Sequence, residues 1–260
     1  MKGAKKLGNS GWGLAIATPI AIIGTLVVNT LSNFYPPGGK NVGEIANTTL
    51  AGVLITPANY AFAIWGLIYL GLIAYGIYQL GANQRRDPII RPVNRLLITA
   101  CVIQMGWIFL FTLQYFTGST VAMLGILLSL MGAYGVLRMD RIDRRRRWLA
   151  VYPISIYLAW ISVAMIINVA SALYDAGWRG GLTGVAWTVI MIWVSVVIAL
   201  LVIFTRQDIP FTLVYVWAYG AIVVRHADTP AILVTGIAAS AVLLVVLALV
   251  SLRKSPLKTG

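Results

Sequence analysis

Long apolar runs alternate with short polar connections along the chain. Runs near the length of a bilayer-spanning helix, about 20 residues, fall at 12–32, 57–80, 94–116, 119–138, 149–173, 183–205, 210–225 and 230–252. Between them stand charged or turn-forming stretches such as "NQRRDP" at 83–88 and "RMDRIDRRRRW" at 138–148. The pattern predicts an all-α integral membrane protein of about eight transmembrane helices. The seventh run is the shortest, short enough to stand upright or to pair with its neighbour as a re-entrant hairpin. The first has a basic start, like a signal peptide. Its apolar stretch is longer than the usual 7–15 residues and lacks a small-x-small cleavage site, so it reads as an uncleaved first helix. The longest connection, about 33–56, carries the Pro-Pro-Gly-Gly turn chemistry of "NFYPPGGKNVGEIANTT". No connection is long enough to fold as a soluble domain, and no internal repeat is visible. The chain therefore forms one membrane domain.

Within these runs the large rings are spaced, not scattered. In "TPANYAFAIWGLIYLGLIAYGIYQ", Ala58, Phe62, Trp65, Tyr69, Leu72 and Gly76 recur every three or four residues and so line one helical face. The fifth run repeats this with Pro153, Tyr157, Trp160, Ala164 and Asn168. The third offers Gln104, Trp107 and Tyr115, the first two as neighbours on one face. Interface anchoring accounts for Tyr78, Trp148, Tyr174 and Trp178 near span ends, whereas Trp65 and Trp160 lie mid-span. Asn168 and Gln104 need hydrogen-bond partners in a dry interior, and pairing between helices is the simplest way to supply them.

Composition and charge sharpen this picture. Of the 260 residues, 60% are hydrophobic and 10% charged, where a soluble domain carries about 25% charged. The net charge of +13 reflects topology. With the N-terminus inside, only Lys40, Arg179 and Arg225 of the 20 Lys and Arg lie outside. The cytoplasmic segments hold Lys2, Lys5, Lys6, Arg85, Arg86, Arg91, Arg95, Arg138, Arg141, Arg144 to Arg147, Arg206, Arg253, Lys254 and Lys258. The positive-inside rule then puts both termini in the cytoplasm, as in a prokaryotic inner or photosynthetic membrane. The run at 138–148 is a topology determinant whose charges also lie among anionic headgroups. No basic run is interleaved with aromatics as a nucleic-acid groove requires.

The chemical inventory excludes several classes. The acidic residues Glu44, Asp87, Asp140, Asp143, Asp175, Asp208 and Asp228 all fall in connections or at span ends. No intramembrane carboxylate or lysine is left for ion coupling or for a retinal Schiff base. Cys101 is the single cysteine and His226 the single histidine, so neither a disulfide nor a structural zinc site is expected. No catalytic constellation and no metal ligand set is visible, and no cofactor is obligatory. What remains inside is rings, small residues and neutral amides, suited to an apolar or aromatic ligand or to tight packing.

These same residues carry a resemblance. "TPANYAFAIWGLIYLGLIAYGIY" resembles the second helix of the tryptophan-rich sensory protein family (TspO/MBR, the bacterial relatives of the mitochondrial translocator protein). That helix runs approximately P-x-x-x-F-x-x-x-W-x-x-L-Y; here Phe62 lies three before Trp65 and Tyr69 four after it. "YPISIYLAWISVAMIINVA" is similar to the family's fifth helix through Pro153, Trp160 and Asn168. "QMGW" at 104–107 resembles its third-helix N-x-x-W, with Gln104 in place of asparagine. Where the family carries tryptophans around a W-x-P-P element, this chain reads "VLITPANY". The resemblance covers about residues 12–173. It implies a five-helix core over 1–175, with 176–260 as an additional three-helix segment of the same membrane domain.

The resemblance further implies a ligand pocket in that core. Porphyrins and related tetrapyrroles are the expected ligands, with Phe62, Trp65, Tyr69, Gln104, Trp107, Tyr157, Trp160 and Asn168 as binding residues. A flat macrocycle suits aromatic faces, and the absence of an intramembrane histidine points to stacking rather than iron ligation. Light-dependent porphyrin breakdown is implied by the resemblance alone. The leading reading is thus a membrane sensor or binding protein for a tetrapyrrole or similar flat hydrophobic ligand. Its expected partners are the bilayer, that small molecule, and a second copy of the chain or a larger membrane complex. The alternatives are a structural or accessory subunit of a larger, pigment-bearing assembly, which the aliphatic last helices favour, and a carrier of an uncharged metabolite.

Overall fold

The structure is a computed structural model that describes residues 11–137 and 143–253. Lys2, Lys5, Lys6, Arg138, Asp140, Arg141, Lys254 and Lys258, which enter the charge argument, lie outside the described residues. The described residues form helices and connections with no strand. The long helices are α1 Trp12–Phe34, α2 Asn59–Gln79, α3 Ile90–Thr112, α4 Phe116–Val136, α5 Arg144–Asp175, α6 Gly184–Arg206, α7 Ile209–Arg225 and α8 Pro230–Arg253. All but α7 are long and apolar enough to cross a membrane. With 17 residues, α7 spans about 26 Å at 1.5 Å per residue, slightly short of a hydrocarbon core. It is a helix in its own right, capped by Asp208, whose Oδ1 accepts from Phe211 N at 3.0 Å.

The third span departs most from expectation. It starts at Ile90, since Pro92 in the first turn needs no hydrogen-bond donor there. It stops at Thr112 because Gln114 takes a left-handed φ of 63°. Tyr115 is therefore not on the Gln104 stripe; it precedes α4 and is exposed. Tyr78 is another correction, being buried instead of anchored at an interface, whereas Trp148 and Trp178 are exposed as interface residues should be.

Packing gives the molecule its plan. α1 packs on α2 and α3, α3 on α4, α4 on α5 and α5 on α2, closing the first five helices into a ring. α7 docks on α5, while α6 and α8 pack on α7 and on each other. Two tyrosines make α7 the hub: Tyr215 shares a hydrogen with Ser162 of α5 at 2.7 Å, and Tyr219 with Ser195 of α6 at 2.6 Å.

The two ends differ. One, the arginine end, carries the α2–α3 and α6–α7 connections and the start of α5. There the Tyr75 hydroxyl donates to Asn94 Oδ1, Asn94 Nδ2 donates to Gln79 Oε1 at 2.9 Å, and Gln79 Nε2 donates to the Ala15 carbonyl at 2.7 Å. This chain of bonds pins α1, α2 and α3. Asp208, before α7 at the same end, is fully buried, with Tyr134 Oη and Ser155 Oγ donating to its Oδ2 at 2.6 and 2.7 Å. A carboxylate at a span end thus ties α4 and α5 to α7. Arg146 pairs with Asp87, and the Arg85 guanidinium lies 3.6 Å over the Trp12 ring. The opposite, loop end carries the long α1–α2 connection.

Candidate functional site

The α1–α2 connection folds as a roof. Gly39 closes the Pro-Pro-Gly-Gly turn, its N–H donating to the Pro36 carbonyl at 2.9 Å, in the left-handed region that favours glycine. Gly38 runs so close to the Thr112 carbonyl that a Cβ would collide with it. A short helix follows, Val42–Asn47, begun by a capping box between Asn41 and Glu44. Ile45, Leu50, Val53 and Ile55 then plug into the core. The roof is held from α7. Arg225 donates to the carbonyls of Pro57 and Ala46, both at 3.3 Å, and Trp217 Nε1 donates to Ala61 at 3.1 Å. The Ala58 N–H donates to the Ala221 carbonyl at 3.0 Å, and the Tyr60 ring meets Trp217 edge-on at 5.4 Å.

Under the roof lies a cavity of about 330 Å³. Phe62, Trp65, Trp107 and Trp160 supply its aromatic walls, with Phe111 beside them. The rings brace one another. Phe62 stands edge-on to Trp160 at 6.1 Å, Trp65 stacks on Tyr69 at 5.5 Å, and Trp107 lies against Phe111 at 5.2 Å. Phe62 lies in the 3₁₀ turn Asn59–Ala63 that opens α2, and Trp65 follows about one turn later in its α-helical part.

Asn168 is the structural hinge of the wall. Its Oδ1 accepts from Trp107 Nε1 at 3.0 Å and Ser119 Oγ at 3.2 Å, and its Nδ2 donates to the Ala164 carbonyl at 2.9 Å. The pairing between helices expected of Asn168 is therefore present. Amides of Asn29, Asn33, Asn41 and Asn59 complete the lining with Thr56, and among the described residues no ionisable side chain lines the cavity. Sequence reading missed these, since isolated asparagines on α1 and in the roof carry no periodic signal.

Tyr69, Gln104 and Tyr157 are not cavity-lining residues; they sit one turn further in than Trp65, Trp107 and Trp160. Tyr69 Oη accepts from Asn29 Nδ2 at 2.8 Å, so it supports the wall. The Tyr157 ring meets Trp65 at 5.9 Å. Gln104 and Tyr157 are 0% and 1% exposed, yet neither amide atom of Gln104 nor the Tyr157 hydroxyl has a hydrogen-bond partner among the described residues. The pairing expected for Gln104 is not there. No group of His, Cys, Asp and Glu suited to a metal ion occurs among the described residues.

A neutral cavity walled by rings and tipped with amides can hold a flat apolar molecule and orient a polar edge. Among known proteins, a family model described as "TSPO-like protein" matches residues 15–249, the last three helices included. No curated protein and no solved structure matches the chain.

Proposed function

Since the chain belongs to the TSPO-like protein family, a group of membrane sensor and binding proteins of the TspO kind, we propose that its roofed cavity binds a tetrapyrrole or similarly flat hydrophobic ligand. The observation that carries this reading is the convergence of Phe62 and Trp65 from α2, Trp107 from α3 and Trp160 from α5 on one amide-tipped cavity. Stacking on three indoles supplies affinity without a metal ligand. The cavity lies at the small end of the range for ligand pockets, about 300–1,000 Å³. A macrocycle would therefore extend through the mouth or part the roof, which makes the α7 contacts part of binding. The charge distribution supports an orientation with the arginine end in the cytoplasm and the roof on the outer side.

The test is titration of the purified protein with protoporphyrin IX, comparing wild type with the Trp65→Phe plus Trp160→Phe double variant. The readout is a shift in ligand absorbance, because the chain has nine tryptophans and removing two alters the fluorescence itself. Saturable binding weakened at least tenfold, about 1.4 kcal/mol, is the expected result. Binding indifferent to both substitutions would move the ligand elsewhere.

A further inference from the structure

A second cavity, of about 430 Å³, lies on the other side of the roof from the first. It occupies the gap between the loop-end halves of α5 and α6. These helices are consecutive, but α7 packs between them and leaves no extended seam at this end. Its walls are aliphatic and thioether groups, Met165, Val169 and Leu173 from α5 and Met191 from α6, closed by Val53 and Leu54 of the roof. Val169 and Leu173 are exposed on α5, a helix long and apolar enough to cross a membrane, and Leu182 is exposed in the connection beside it, so apolar surface leads from the cleft to the outer face of α5.

The mouth has different chemistry. Trp178 and Trp187 lie against each other at 5.2 Å, and Trp187 Nε1 donates to the Arg179 carbonyl at 3.0 Å. Arg179 is held over the Tyr174 ring at 4.0 Å, and its Nη1 donates to the Tyr174 carbonyl at 2.7 Å. It is an ordered cation with the rest of its fork left to solvent. Among the described residues it is the sole ionisable side chain of the lining apart from the Tyr174 phenol. The α6 helix begins at Gly184, also in the lining, and its dipole adds to the positive potential. An apolar slot that opens to lipid, with two indoles and one fixed arginine at its rim, matches an amphiphile with a negative head.

We propose that this cleft is a binding site for an anionic glycerophospholipid, one acyl chain lying between α5 and α6 and the phosphate meeting Arg179. The shape and chemistry differ from the first cavity on each count. Flexible Met and aliphatic side chains adapt to a chain, where the first cavity's braced rings suit a plane. The roof segment serves both: Val53 and Leu54 face this cleft, while Leu50 and Thr56 line the other. A lipid here braces the roof from behind.

The test uses the full chain in nanodiscs containing phosphatidylglycerol or phosphatidylcholine with a photoactivatable diazirine in the acyl chain. Cross-linked peptides are mapped by mass spectrometry. Labelling should concentrate on 165–173 and 187–191, with the anionic lipid favoured at least fivefold there. Arg179→Gln should erase the headgroup preference while leaving tail labelling, and Ala170→Phe, which fills the slot, should abolish both. Val169→Phe serves as the second filling variant if Ala170→Phe fails to fold. Labelling spread evenly over the lipid-facing helices would overturn the proposal. So would an anionic preference at 165–191 that survives Arg179→Gln, or one confined to the arginine end.

Discussion

At the arginine end, the amides, hydroxyls and carboxylate buried between helices are paired, Tyr75, Asn94 and Gln79 in one chain and Tyr134, Ser155 and Asp208 in the other; the buried atoms left unpartnered there among the described residues are the guanidinium Nε of Arg85, Arg91 and Arg146. Toward the loop end, Gln104, the Tyr157 hydroxyl and the Thr56 hydroxyl are buried without partners among the described residues. An unpaired buried polar group costs about 1–3 kcal/mol, and lipid offers no relief. The arginine end is built to be fixed. Near the cavity, polar atoms are kept although they weaken the fold, which is the mark of a region shaped by something other than stability.

That contrast fixes the sign of two substitutions. Asp208→Ala should have the largest effect. It strands the Ser155 hydroxyl, removes one bond of Tyr134 and removes the α7 cap, for a loss of about 3 kcal/mol. Unfolding in mixed micelles measures it, and a loss below about 1 kcal/mol would mean the pair of bonds to Oδ2 contributes little. Gln104→Leu should move the other way. It removes two unpaired atoms at similar volume, so stability should rise by about 1–2 kcal/mol. A fall of that size would show that the amide has a water or ligand partner.

The same contrast explains what could be read in advance. Hydropathy encodes spans, and seven of the eight helices start within about four residues of expectation because a helix must match the bilayer. The exception is α5, whose arginine-rich start extends it beyond its apolar run. The walls were legible too, since Phe62, Trp65, Trp160 and Asn168 keep helical spacing. What could not be read were contacts between residues far apart in the chain. Arg225 reaches Ala46, Trp217 reaches Ala61, and Asp208 reaches Tyr134; no local pattern announces such partners. α3 starts four residues ahead of its apolar run because Arg91 and Pro92 look like a connection, although they form the first turn of the helix.

The roof lies between these extremes, held by hydrogen bonds from a neighbouring helix rather than by its own core alone. Arg225→Gln removes the bonds to Pro57 and Ala46 but spares those of Trp217 and Ala221. Ligand should dissociate up to about tenfold faster, corresponding to about 1.4 kcal/mol, with a smaller change in unfolding. Lys40→Gln is the control, because the Lys40 ammonium donates to Thr48 of the same segment and not to α7. Equal acceleration in both variants would mean that roof charge, not the α7 latch, sets the rate.

The smallest expected effect comes from His226, next to that latch. Burial pushes its imidazole below the ordinary value, Arg225 beside it acts in the same direction, and a backbone hydrogen bond at Leu54 partly opposes them. The folded chain therefore binds fewer protons at this site than the unfolded chain as pH falls below about 6.5. Stability drops through that window and is unaffected by this residue well above it. Because Leu54 belongs to the roof, ligand exchange should quicken in mild acid. Comparing unfolding and ligand dissociation between pH 7.5 and 5 in wild type and His226→Gln isolates the effect. The variant should lose part of the acid slope, and an unchanged slope would assign it to other groups of the roof.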